Sequence, residues 1–458
     1  MLPEVASYKR IILCADGTWL ASDQGGSDKP SNVARMARSI ATHGPDADGK
    51  IVPQIVSYHS GLGAGELPFQ KSLSGAVGWG LDNEVCQIYE FVSNNYSPGD
   101  ELFFFGFSRG AFTVRSVVGL ISDIGVLSSQ NMTYFGDMWK AYRENTSGEP
   151  FAKSAWYRQH QGMLRQVDDV RIKVVGVWDT VGALGVPEWP LVDLASKVGI
   201  SVNKRYAFHN TEVSKAVDYA FQALALDERR LTFPPTLWYR TVDAPAKELC
   251  QCWFPGVHGD IGGGAQDREI SDISFAWMVD NLSGMLGFEE VVIDELVHEH
   301  RGARAQRAST EHDNDKSWGC GPIVSNFVGI QGAFFKTLGV QDRTPGNYRQ
   351  EPSQVLNGSD TKECFHPIVR IRKTILESQY HPASLAGFAF EKRNAQRGGR
   401  AGWYWTKAGV VSGMPEFVLL PEKKLTVVDG TSYIHRESLS RTLCPEHLLE
   451  DLDLDNNT

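Results

Sequence analysis

The chain has 458 residues, with 55 acidic against 45 basic side chains and a formal net charge of -10. That length is ample for a large core, and an acidic balance without a dense Lys/Arg block argues against a nucleic-acid partner. No run of about 20 apolar residues is free of polar interruptions, so no transmembrane segment is expected, and the N-terminus lacks the basic stretch and apolar core of a secretory signal.

Taken in chain order, Arg10 to Ala15 reads as a first buried strand, followed by a turn at Asp16-Gly17-Thr18-Trp19. Ser31 to Ile40 suits a short helix with Ser31 as N-cap after Pro30. Ile51 to Tyr58 is a second strand, running into a glycine-rich loop, Gly61 to Gly65, that lacks the G-K-[ST] of a phosphate loop and reads as a structural turn. Leu81 to Val92 is a helix, and Ser97-Pro98-Gly99-Asp100 turns the chain into Glu101 to Phe107. That strand is aromatic and apolar without polar alternation, the pattern of burial on both faces, and Ala111 to Leu120 continues as helix. Tyr134 to Val167 is polar and aromatic, with helical stretches forming a cap or an outer layer. Arg171 to Trp178 is the next clear strand and ends at Asp179, while Trp253 to Val257 leads into His258.

Strands alternating with helices predict a mostly parallel central sheet with helices on both faces. Arg301 to Lys316 reads as an exposed excursion. Beyond about residue 325 the core pattern weakens, although Phe417 to Leu420 and Leu425 to Val428 look like paired strands across a Pro421-Glu422-Lys423-Lys424 turn. The expected organisation is a single domain over residues 1–445, with a core at about 8–330, a C-terminal elaboration over 331–445 and a frayed acidic tail over 446–458.

The seven cysteines, odd in number and scattered from Cys14 to Cys444, read as reduced thiols of a cytoplasmic protein. Sequons at Asn131, Asn145, Asn281 and Asn357 then carry no weight. Cys250-x-Cys252 has no second nearby pair, and His298 and His300 are two apart and diverge on a helix, so neither predicts a metal site. No cofactor is expected.

The chemistry concentrates at Gly106-Phe107-Ser108-Arg109-Gly110. A G-x-S-x-G element between a buried strand and a helix is a nucleophile elbow, with glycines where strand and helix crowd and the serine Oγ projecting into a cleft. A serine hydroxyl needs an imidazole base, and the imidazole an orienting carboxylate. Asp179 and His258 each follow an apolar strand, and the order Ser108, Asp179, His258 is that of an α/β hydrolase. Asp260, two residues from His258, is the rival acid; it better suits ordering of the loop. For the oxyanion, Arg109 N–H is the natural first donor, and the second is expected near Gly17 or Thr18, with Asp16 bracing that loop. The Arg109 side chain could bind an anionic substrate or brace Asp16. Trp19, Trp79, Phe107 and Trp178 either line an acyl pocket or belong to the core.

Four blocks carry a resemblance: Leu13 to Trp19, Gly106 to Ala111, Gly176 to Gly182 and Val257 to Gly263. Together they resemble a fungal and bacterial α/β-hydrolase domain family that includes the phospholipase catalytic domains of type VI secretion effectors, over about residues 8 to 275. The resemblance implies an α/β-hydrolase core, with Ser108 as nucleophile, Asp179 as acid and His258 as base, acting on carboxylic esters. The partner is then a small-molecule or lipid ester, with peripheral membrane contact rather than a membrane span. The chain lacks an evident large membrane-binding extension. Two other classes stand beside this one: a metal-assisted phosphoesterase built on Asp16, Asp179, His258 and Asp260, and a catalytically silent interaction protein.

Overall fold

The computed structural model describes residues 4–17, 29–61, 77–145, 151–182 apart from 163 and 165, 213–240, 247–310, 318–348, 361–394, and 401–457 apart from 410 and 431. Thr18, Trp19, Asn357 and all but the first residue of the Gly61–Gly65 loop lie outside them. Eight strands make the central sheet: β1 (Arg10–Ala15), β2 (His43–Pro45), β3 (Ile51–His59), β4 (Glu101–Phe107), β7 (Ile172–Trp178), β8 (Val217–Ala225), β9 (Glu248–Phe254) and β11 (Glu363–Phe365). Their spatial order is β11-β9-β8-β7-β4-β1-β3-β2. Every pairing is parallel except that of the edge strand β2 with β3.

The central strands of this sheet are buried on both faces. Ile11 and Leu13 of β1 and Leu102 and Phe104 of β4 face a layer built from α2 (Val77–Asn95), α3 (Ser108–Ile124) and α4 (Phe135–Glu144). Ile12, Cys14, Phe103 and Phe105 face the opposite layer, with α1 (Asn32–Ser39) and α7 (Glu269–Asn281). A strand buried on both sides has no solvent face, hence its unbroken apolar run. Between α4 and β7 the chain forms α5 (Ala155–His160), helical as expected, and β6 (Gln166–Val167), which pairs back with β5 (Val126–Leu127) before α4.

The chain passes from β1 to β3 on one side and returns to β4 on the other, so strand order reverses between β1 and β4. Such a switch point opens a crevice outside the carboxyl ends of the strands. Ala15 and Gly106 are register partners there, so the residues after β1 and β4 share that crevice. The approach of strand and helix is close: a Cβ on Gly110 would stand 2.2 Å from the Ala15 carbonyl oxygen, and one on Gly106 would stand 2.6 Å from Ala111 Cα.

Two central elements carry no clear sequence signature. β8 contains Gln222, fully buried, whose amide donates to Gln251 Oε1 (2.9 Å) directly opposite on β9 and whose carbonyl oxygen accepts from Thr180 Oγ1 (2.6 Å). Gln251 in turn bonds both backbone groups of Trp238. The helix α7 is buried along its whole length despite its acids. Glu269 accepts from the amides of Gly319 and Gly321, Asp272 from Arg35 and His300, and Asp280 from the amides of Leu439 and Ser440. These amides begin α11 (Leu439–Leu443).

Other expectations are revised. The segment from Arg301, read as an exposed excursion, is indeed mostly exposed over residues 301–307, but it is the end of a helix, α8 (Glu290–Thr310), rather than a loop. Phe417 to Leu420 is irregular; β15 (Lys424–Asp429) pairs instead with β16 (Ser432–Glu437) and with β10 (Phe288–Glu289). The acidic tail forms a helix, α12 (Glu446–Asn457), because Arg441 holds Asp453 through two 2.8 Å bonds. Nor does the core end near residue 330. Through β11 and α10 (Pro367–Ile375), and through a sheet of β12 (Phe388–Arg393), β13 (Gly402–Lys407) and β14 (Val411–Pro415), Phe365, Ile368 and Trp405 join the core on the α7 side.

Two substitutions test this account. Gly110→Ala should destabilise the protein by about 1–3 kcal/mol through overpacking against β1, whereas Gly119→Ala on the same helix, whose nearest outside atom is 3.5 Å away, should be neutral or stabilising in urea denaturation. Burial pushes the Asp280 carboxyl up to about 6. The folded state therefore binds this proton more tightly than the unfolded one, a contribution complete below the unfolded value near 4 and lost as pH rises through about 6. The stability of wild type minus that of Asp280→Asn should fall by roughly 2–3 kcal/mol from pH 4 to pH 7.

Candidate active site

Ser108 opens α3 with φ at 57°, and Asp179, just past β7, has φ at 38°. Left-handed backbone costs about 1–2 kcal/mol for a residue with a Cβ, and such strain gathers where surrounding structure holds side chains in set positions. Phe107 and Trp178 are register partners on adjacent strands, so Ser108 and Asp179 leave the sheet side by side. No side chain caps the start of α3, where Phe107 stands at the N-cap. The positive end of the helix dipole and the first-turn amides, among them Arg109 N–H, therefore sit beside Ser108.

His258 begins the short helix α6 (His258–Gly262) just beyond β9. Its Nδ1 lies 2.7 Å from Asp179 Oδ2. With the ring proton on Nδ1 donated to the carboxylate, Nε2 is left as the acceptor. The ring is held between Phe107 (4.6 Å between centroids) and the edge of Phe233 (5.0 Å), and its backbone N–H donates to Glu228 Oε2 (3.2 Å). Ser108 and His258 retain only 8% and 7% of their surface, so both are nearly buried.

Asp179 is wholly buried. Its Oδ1 accepts from Ala225 N (3.0 Å) and Arg343 Nη1 (3.3 Å), and its Oδ2 accepts from His258 Nδ1 and Arg343 Nη2 (3.0 Å). Burial alone would raise this carboxyl, but the Arg343 guanidinium and the His258 ring hold it below the usual carboxylate value.

Asp16, at the start of the loop after β1, accepts three hydrogen bonds. Its Oδ1 accepts from Gly17 N (2.7 Å), and its Oδ2 accepts from Ser31 Oγ (2.5 Å) and Tyr58 Oη (2.8 Å). The Gly17 amide is thereby committed to Asp16, which removes it as an oxyanion donor in this conformation. Thr18, the other candidate, lies outside the described residues. Asp260 Oδ2 accepts from the amides of Val257 and Val324, so this acid orders the loop around His258, and burial lifts its carboxyl to about 6. Trp178 and Phe107 are buried members of the core; Trp79 lies on α2, and its side chain is not among the described ones.

Among the described residues no group of three or more His, Cys, Asp and Glu side chains is arranged to hold a metal ion. Asp16 and Asp179 already accept three and four protein donors respectively, leaving little capacity for a cation. Cys250 Sγ lies 3.6 Å from Cys364 Sγ of the neighbouring strand, and none of the seven cysteines is in a disulfide.

Sequence reasoning missed Arg343 and Glu228. Glu228 follows β8 at the same rim as Asp179 and His258, and recognising that strand would have exposed it. Arg343 sits in a polar loop, Gln341 to Thr344, 164 residues from Asp179, and no motif or spacing marks it.

The family described as "T6SS, Phospholipase effector Tle1-like, catalytic domain" matches residues 9–281. An uncharacterized protein of Saccharomyces cerevisiae is 26% identical over 245 residues, covering 50% of this chain and 32% of its own length. Among solved structures, a Tle1 effector bound to the VgrG spike of the Type 6 secretion system aligns at 19% identity and a TM-score of 0.31, covering 58% of this chain and 52% of that one. An uncharacterized protein from Pseudomonas aeruginosa aligns at 15% identity and a TM-score of 0.31, covering 60% and 45%. The chain thus spans about a third to a half of the length of these relatives. With the matched segment running through Ser108, Asp179 and His258, the chain belongs to the Tle1-like phospholipase effector catalytic domain family.

Proposed function

We propose that this protein is a serine-dependent hydrolase of carboxylic esters, with lipid esters as the substrate class. The observation that carries the reading is the 2.7 Å Asp179–His258 pair at the rim where Ser108 leaves β4 in a strained turn. Ser108 Oγ attacks the ester carbonyl while His258 Nε2 takes the hydroxyl proton. Collapse of the tetrahedral intermediate returns that proton to the leaving alcohol and leaves the acyl group on Ser108. A water deprotonated by His258 then releases the carboxylic acid and restores the serine.

Asp179 keeps the imidazole in the Nδ1–H tautomer and stabilises the imidazolium that forms at each step. Arg109 N–H, at the start of α3, donates to the oxyanion, with the second donor to come from the loop after β1, near Gly17 or Thr18. The lipid substrate is supported by membership of a phospholipase effector family. No helix among the described residues is long and apolar enough to cross a membrane, so contact with a lipid surface would be peripheral. Saturation of Asp16 and Asp179 by protein donors counts against the metal-assisted phosphoesterase reading.

A fluorophosphonate probe should label wild type at Ser108, insensitive to EDTA, and should not label Ser108→Ala. On a panel of short-chain esters and phosphatidylcholine or phosphatidylethanolamine vesicles, Ser108→Ala and His258→Ala should lose activity by about ten-thousand-fold or more, and Asp179→Asn by about ten-thousand-fold. Hydrolysis by folded Ser108→Ala at the wild-type rate would remove the serine from the mechanism.

A further inference from the structure

We propose that Arg343 is a positioning residue for the Asp179–His258 pair, and that the segment from Val324 to Arg343 completes this site. The inference rests on the hydrolase reading for its kinetic consequences but on geometry for its placement. The family match ends at residue 281, yet the segment beyond it contacts each group behind the imidazole. Arg343 retains 3% of its surface and grips both oxygens of Asp179. Asn326 Nδ2 donates to Glu228 Oε2 (2.7 Å), the same oxygen that receives the His258 backbone N–H. Val324 N donates to Asp260 Oδ2 (3.3 Å), and the Phe335 ring sits 6.1 Å from Phe233, which edges His258. Two backbone bonds, Leu231 N to Gly339 O (3.3 Å) and Gln341 N to Arg229 O (2.9 Å), lash the segment to the loop after β8.

A carboxylate has about four lone-pair sites, and Asp179 fills them with two bonds from Arg343, one from Ala225 N–H and one from His258. Without the guanidinium each oxygen keeps a single donor, and the two-pronged grip that fixes the carboxylate plane facing the imidazole is lost. The charge matters as well. Asp179 and Arg343 together are neutral, so a proton taken up by His258 gives the cluster a net positive charge. Removing the fixed cation makes proton uptake by the Asp179–His258 pair easier, whichever of the two holds the proton. Among the described residues the charged groups near the pair include Glu228 and Arg230, joined to each other at 2.8 Å, Asp227, which accepts from Tyr380, and Asp260 on the helix of His258 itself. All of them remain in the variants below.

The experiment compares wild type, Arg343→Met and Arg343→Lys by kcat, KM and the pH profile of kcat/KM on a soluble ester. The downfield proton resonance of the His258 Nδ1–H is recorded in parallel. Arg343→Met should lower kcat by about a hundredfold with KM unchanged and move the acid limb of the profile to higher pH by about one unit or more. Arg343→Lys, which keeps the charge and loses the fork, should also lose kcat but leave the acid limb in place, and the Nδ1–H resonance should shift or broaden in both variants.

A rate loss in Arg343→Met with an unmoved acid limb would reduce Arg343 to a structural residue and overturn the proposal, as would unchanged kcat and profile. Where Arg343→Met does not fold, Arg343→Lys decides: wild-type kcat with a wild-type resonance refutes the positioning role. If wild type hydrolyses no ester and takes up no fluorophosphonate, the hydrolase reading fails, while the resonance still decides whether Arg343 sets the geometry of the pair.

Discussion

A carboxylate without any exposed surface must find every one of its hydrogen-bond partners, and a counter-charge, inside the protein. Asp179 does so by drawing on three separate parts of the chain: the end of β8 through Ala225, α6 through His258, and a loop far along the chain through Arg343. Deleting one partner of such a buried ion pair typically costs about 3–5 kcal/mol, because the survivor keeps its charge without compensation. The placement of the imidazole and the docking of the C-terminal segment are consequences of satisfying this one anion.

The strained residues follow the same logic. Four non-glycine residues among the described ones have positive φ, and two of them are Ser108 and Asp179, on neighbouring strands at the same rim. A relaxed backbone at either position would continue along its strand or helix and carry the side chain away from the crevice. What holds the strain is the packing beneath it: β1 pressed against Gly110, and Phe107 wedged between His258 and Gly262.

How much of this could be read from the amino acids depended on how local the deciding interactions are. β1, β4, the start of α3 and β7 were legible because strands buried on both faces are written as continuous apolar runs, and the glycines of the elbow mark a close approach only a few residues long. Ser108, Asp179 and His258 could be picked out because each follows such a run. The misses have the opposite character. β8 and α7 carry buried polar side chains whose partners lie far away in sequence: Gln222 needs Gln251, Asp272 needs Arg35, and Asp280 needs Leu439 and Ser440. A local pattern sees only polar interruptions there. The acidic tail misled for the same reason, since Arg441 turns its charge from a cause of fraying into an anchor.

The paired amides of Gln222 and Gln251 have a consequence of a different kind. Apolar side chains on adjacent strands tolerate being slid past one another, because one methyl is much like the next. Two glutamines that face each other in a buried sheet do not, for a slip of a single residue would put the two amides on opposite faces and leave both without their partner among apolar side chains. Because Gln222 also holds Thr180, the neighbour of Asp179, and Gln251 holds Trp238, the pair acts as a key in a lock. Only the alignment of β7, β8 and β9 that seats both amides is spared the penalty, and that is the alignment in which the acid and the imidazole meet. The chain therefore proofreads its own strand alignment with side chains that never touch a substrate.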